Sequence, residues 1–215
     1  MSGLEVYNDS GTILFNTMAK NACMFAKGTH LVTTGSSGSP VGTRSILTVT
    51  SASFPMVAFR PQGTETMCIY QVTSSGTTYS FYIMCSGTTS AAIDWWGFNF
   101  TVQGSSGCGL EVYDSTGVLT YSTGTKPLRI VGAQTSGRSY AMIPGGISGQ
   151  AKWDPYPPIG NYRRQSHFDG VNNAGTNQVR IINFIADQDS VSTTVASPTI
   201  TYGPQNFIIA DVTNY

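Results

Sequence analysis

The sequence predicts an all-β protein built as two tandem antiparallel β-sandwich domains that descend from an internal duplication. Three observations carry this expectation. The stretch GLEVYNDSGTILFNT at Gly3 recurs as GLEVYDSTGVLTYST at Gly109, 106 residues further on. Short apolar-alternating runs are separated by Gly-, Ser- and Thr-rich turn signals about every 8–12 residues, the spacing of a sandwich. No segment holds a 3.6-residue apolar period long enough for a helix. The repeat is far longer than a solenoid unit and about the size of one small domain. It sets the expected domains at 1–105 and 108–215, with TVQGSSGCGL as the link.

Each half opens with a hairpin. Leu4, Val6, Ile13 and Phe15 alternate with polar residues around Asn8-Asp9-Ser10-Gly11, and the second copy repeats the pattern. A four-residue loop of this kind is built on a type I turn and needs a left-handed residue, so Gly11 and Gly117 are the expected turn formers. Further strands of the first half are predicted at 23–26, 30–34, 45–50, 55–59, 67–73, 78–84 and 98–102. QVTSSGTTYSFYIMC forms a second hairpin turning at 74–76. In AIDWWGFNF, Trp95 and Trp96 are adjacent, so in a strand they point to opposite faces, one into a core and the other outward or into an interface.

The second half is predicted to continue through strands at 109–113, 118–121, 128–132, 138–143, 178–187, 191–195, 198–202 and 206–212. It is interrupted by a long aromatic loop at 144–177 that has no counterpart in the first half. Loops of this length in compact domains are functional or disordered. Trp153, Tyr156, Tyr162, Arg163, Arg164 and His167 within it are the expected partner- or receptor-binding residues, because aromatic residues and arginine dominate interface hot spots; the alternative is an Ω-loop pinned by its aromatics against its own sheet.

Composition narrows the function classes. Charged residues make up 10% of the chain, against a typical ~25%, and Ser and Thr together roughly a quarter. The formal net charge is zero, which argues against nucleic acid as a partner, since binding it needs basic surface to release counterions. Near-neutrality also leaves little repulsion between copies, as suits an assembly protein. No apolar run approaches the ~20 residues of a membrane helix, so no membrane insertion is expected. No basic stretch followed by an apolar run precedes the first motif, so no signal peptide is predicted.

Catalytic and metal constellations are not expected. The four cysteines form no CxxC pair and sit at no zinc-ligand spacing from a histidine, so they are read as buried strand residues. His30 opens a strand-like run and is read as structural. His167 lies near Asp169 but has no nucleophile elbow to serve. Asp187 and Asp189 are read as turn residues rather than calcium ligands. Glycoside hydrolysis needs two positioned carboxylates, and suitable pairs are missing among the 11 acidic residues. No cofactor is called for.

GLEVYNDSGTILF and GLEVYDSTGVLTY resemble the opening of small β-rich minor tail proteins of long-tailed bacteriophages, which begin with a G-L-x-[VI]-[FY]-[ND]-x-x-G-x-[LIT]-x-[FY] stretch. The resemblance covers about 15 residues of each half and continues into PLRIVG at 127–132, whereas the first half departs with NACMFAKG. It implies a virion protein of the tail tip, baseplate or fibre region, made in the host cytoplasm. Such a protein docks to other tail proteins, and the duplication favours a homo-oligomer, a trimer presenting six similar units. Contact with a host surface glycan or protein is the alternative reading. Unpaired cysteines are expected in a part assembled in the reducing cytoplasm. The resemblance supplies no catalytic residues.

Overall fold

The computed structural model describes residues 5–7, 13–16, 22–33, 43–87, 90–102, 104, 109–145, 149–156, 161–192, 200–202 and 206–215. Among them there is no helix, and the protein is all-β as expected. The first half gives β1 (Glu5–Tyr7), β2 (Ile13–Asn16), β3 (Cys23–Val32), β4 (Thr43–Thr50), β5 (Met56–Pro61), β6 (Met67–Ser75), β7 (Thr78–Cys85) and β8 (Ala91–Asn99). The second gives β9 (Glu111–Tyr113), β10 (Leu119–Ser122), β11 (Ile130–Val131), β12 (Tyr140–Pro144), β13 (Gly149–Tyr156), β14 (Asn161–Gly175), β15 (Gln178–Ser192), β16 (Ile200–Tyr202) and β17 (Phe207–Asp211).

The repeated stretch folds the same way twice. In the first hairpin Glu5, Val6 and Tyr7 pair with Asn16, Phe15 and Ile13, and the register slips once. In the second, Glu111, Val112 and Tyr113 pair with Ser122, Tyr121 and Leu119, with a slip at the equivalent place. Gly117 has φ +81°, the left-handed geometry the turn was expected to need. The Asp114 carboxylate secures that turn by accepting from the Thr116 and Val118 amides at 2.8 and 2.9 Å. Gly11 lies outside the described residues.

The remaining strands form two antiparallel sheets. One runs β11-β17-β12-β5-β8-β3; the other runs β16-β13-β14-β6-β7-β4, with β15 also paired to β14. Each half contributes a contiguous block to each sheet. In the six-stranded sheet both blocks have one order: the strand after the hairpin lies outermost, the half's last strand is next, and a middle strand is innermost. The blocks meet at Phe59 and Met142 in one sheet and at Met67 and Val171 in the other. The halves therefore do not close as two separate sandwiches at 105–108. Phe59, Met67, Ile83 and Ile93 share one core with Tyr140, Met142, Val171 and Val179. The physical reason is edge pairing: β5 and β6 would otherwise expose ladder groups that β12 and β14 satisfy.

The six-stranded sheet also closes on itself at one end. The Met24 amide donates to the Lys126 carbonyl at 2.8 Å, and the Leu128 amide to the Ala22 carbonyl at 2.7 Å, joining the start of β3 to the approach to β11. Inside this closure lies a second core of Ala58, Trp96, Phe98, Ala141, Ile143, Ala210 and Val212, against which Met24, Leu128 and Tyr215 pack. The opposite face packs on the other sheet. His30 on β3 ties the two sheets together through Ser45 on β4 at 2.6 Å, the structural role its sequence position suggests.

Three expectations need correction. Runs 23–26 and 30–34 are one strand, paired with β8 through Gly28, where a β-carbon would lie 3.1 Å from the Trp95 indole nitrogen. The strand expected at 98–102 is β8, at 91–99, so AIDWWGFNF is strand up to Asn99. The segment 144–177 is not one long loop: most of it is β13 and β14. β14 is paired on both sides, and a ladder on each edge overrides the weak strand preference of Asp, Asn and Gly. The exposed edge of β15 is covered at Val179 by Gln134, whose side-chain amide accepts from the Val179 N–H at 2.9 Å and donates to its carbonyl at 2.6 Å.

Candidate functional site

The β9–β10 hairpin pairs with neither large sheet. It is nonetheless held firmly at its base. The Leu110 amide donates to the Thr123 hydroxyl and the Thr123 amide to the Leu110 carbonyl, both at 3.0 Å. Ser122 and Thr120 are buried, and the chain leaves the hairpin directly into the closing pair at Lys126–Leu128. Its outward surface carries Leu110, Tyr113 and Val118, each about half exposed (49%, 53% and 49%). The Tyr113 hydroxyl donates to the Glu111 carboxylate at 2.6 Å, which fixes the ring on the surface. A rigid element presenting three apolar side chains is suited to docking and offers no chemistry.

The residues expected to bind are distributed over two paired strands. Trp153 on β13 lies opposite Arg164 on β14, Asp154 opposite Arg163, and Tyr156 opposite Asn161; Tyr162 faces Pro155 in the register. The side chains of Trp153, Tyr156, Tyr162, Arg163 and Arg164 lie outside the described residues. His167 sits on β14 opposite Ile185, half-buried, and its Nε2 is enclosed without a hydrogen-bond partner. Asp169 accepts from the Asn183 amide at 3.0 Å. Trp95 faces the main core and Trp96 the enclosed one, so they do point to opposite faces. Neither is a free platform, however: Trp96 is 7% exposed and lies beneath the Arg60 guanidinium, 5.5 Å from the ring centre.

Cys23, Cys68 and Cys85 are buried, and Cys108 lies outside the described residues. Burial, with smaller contributions from Cys85 and Asp169, pushes the Cys68 thiol up to about 12, so it stays protonated and inert at neutral pH. Among the described residues no group of three His, Cys, Asp or Glu side chains is placed to hold a metal.

Two carboxylates organise the polar contacts of the six-stranded sheet. Asp94 on β8 accepts from Gln62 (2.7 Å), Arg60 (3.0 Å) and Thr29 (3.2 Å). Asp211 on β17, 1% exposed, accepts from Arg138 at 2.5 Å and lies 3.6 Å from Arg129. Burial works against ionisation of both. Hydrogen bonds from Gln62 and Arg60 outweigh it at Asp94, as do those from Thr213 and Arg138 at Asp211, so both carboxyls are held below their usual range. Burial lowers His30 as well.

The pH dependence of stability follows. A histidine whose folded value is depressed costs stability as pH falls through its unfolded value near ~6.5; carboxylates with depressed folded values lose their contribution as pH falls below ~4. Urea midpoints should therefore decline in two stages on acidification. His30→Gln should remove the first stage and Asp211→Asn should flatten the second; a midpoint constant from neutral pH to pH 5 in the native chain would contradict the His30 assignment.

The groups around Asp94 come from four distant segments, at 29, 60–64, 94 and 173–177. RPQGTE reads locally as a turn, and nothing in the sequence links these segments. Comparison with family models, curated proteins and solved structures finds no match for the chain.

Proposed function

We propose that the protein is a structural component of a bacteriophage tail, in the tip, baseplate or fibre region, that docks to other virion proteins through its repeated hairpins. The observation that carries this reading is the hairpin itself. It occurs twice with one register and one slip, and the second copy exposes Leu110, Tyr113 and Val118 on a firmly held base. The resemblance of the same stretch to minor tail proteins supplies the setting. Two like docking elements on one chain suit neighbours arranged with quasi-equivalent sites, and a trimer would present six.

Replacing Leu110, Tyr113 and Val118 together by Ser tests the reading. All three are about half exposed and belong to neither large core, so the fold should survive. Incorporation into tail particles lacking the protein should fall by at least about tenfold, the loss expected when apolar anchors worth ~1.4 kcal/mol or more are removed. Unchanged incorporation would rule out this hairpin as the docking element. Saturable binding to whole cells, with none to tails, would favour a receptor-binding role instead.

A further inference from the structure

The six-stranded sheet is closed and apolar at one end, and its enclosed face turns polar toward the other. The cross-strand rows show the change: Met24–Phe98–Met56, then Lys27–Trp96–Ala58, then Thr29–Asp94–Arg60. Beside the polar row lies a groove of about 510 Å³, whose far wall is the β14–β15 turn. A volume in the range of about 300–1,000 Å³ at the mouth of a curled sheet is a usual setting for a ligand site.

We propose that this groove binds a neutral oligosaccharide segment. Its charges cancel, because Arg60 and Asp94 form a 3.0 Å ion pair and the other lining groups are amides, hydroxyls and backbone. An anionic ligand would find no uncompensated cation in the groove. An apolar one would strip water from the polar lining, including the Gln62 and Asn177 amides and the Thr64 and Thr176 hydroxyls, and return no hydrogen bonds, at a cost in free energy. A polyol suits the lining: each hydroxyl both donates and accepts, and carboxylates and planar amides can engage adjacent hydroxyls.

The groove is also organised before any ligand arrives. Asp94 is fixed by three donors. Arg60 is held between Asp94 and the Asn177 side-chain oxygen (3.1 Å), over the Trp96 ring. Asn173 is pinned by donating to the Gln62 carbonyl (3.2 Å) and accepting from the Gly175 amide (2.9 Å). Groups already immobilised cost little further entropy on binding. Gln62, Gly63, Thr64 and Thr176 leave the groove open along its length, so a chain of sugars fits better than a single enclosed one.

The test is an amide chemical-shift titration of the full chain with maltohexaose, cellohexaose and fully N-acetylated chitohexaose, and with heparin hexasaccharide as the anionic probe. Saturable shifts at 62–64, 94 and 173–177 are expected with at least one neutral hexasaccharide and not with heparin. Asn177→Ala should weaken that binding about tenfold, the equivalent of one lost hydrogen bond to a well-placed partner. Gly63→Trp adds bulk where a β-carbon meets nothing within 4 Å, so it should leave the fold intact and abolish binding. Any of four results would overturn the proposal: no saturable shift with a neutral probe up to millimolar concentration, shifts confined to other surfaces, binding of heparin alone, or a folded Gly63→Trp chain that binds as the native one does.

Discussion

Phe59→Ala should lower the free energy of unfolding by about 3–5 kcal/mol, the cost of emptying a fully buried aromatic site that cannot collapse. Phe59 is 0% exposed and lies where the two halves of the six-stranded sheet meet, opposite Met142. Its neighbours in the core come from both sheets and both halves. The loss should therefore appear as one transition. Amides of β7 in the first half and β17 in the second should lose hydrogen-exchange protection by the same free energy. If β17 kept its native protection in the Phe59→Ala chain, the halves would be independent units and the shared core would carry no coupling.

The second large effect is expected at Tyr215. Its ring packs into the closed end of the six-stranded sheet, 6.0 Å from the Phe98 ring, with the Arg129 guanidinium 4.7 Å and the Lys126 ammonium 5.7 Å from its centre. Its hydroxyl donates to the Pro127 carbonyl, within the segment that closes the sheet. Tyr215→Ala removes apolar burial and two cation–π contacts together and should cost about 2–4 kcal/mol. Tyr215→Phe keeps the ring and should cost only about 1 kcal/mol, the worth of the hydrogen bond. Equal urea midpoints for the two variants would show that the hydroxyl alone matters.

What could be read from the sequence was local. The hairpins were legible because alternation, turn residues and the Gly117 position all lie within 15 residues and agree. The β6–β7 hairpin was legible for the same reason, and Gly76 takes a positive φ at its turn. β14 was not: SHFDGVNNAG has little strand preference, and only its partners on both edges make it a strand. The joining of the halves was equally invisible, because Met142 and Val171 give no local sign of which strand they will meet. The Asp94 groove failed to show for a related reason. Arg60, Asp94 and Asn177 are brought together by sheet order and not by spacing.

The meeting of the halves has a kinetic consequence. While the second half is still being synthesised, β5 and β6 have no β12 or β14 to pair with, and the approach to β11 cannot yet close on Ala22 and Met24. The nascent chain thus carries two open sheet edges and a partly uncovered core until β12 and β14 have left the ribosome. Pairings between residues this far apart in sequence form slowly, in the millisecond-to-second range typical of β topologies dominated by distant contacts. Self-association at those edges competes with folding during that interval. Refolding yield should accordingly fall as protein concentration rises, even though the finished molecule has those edges paired.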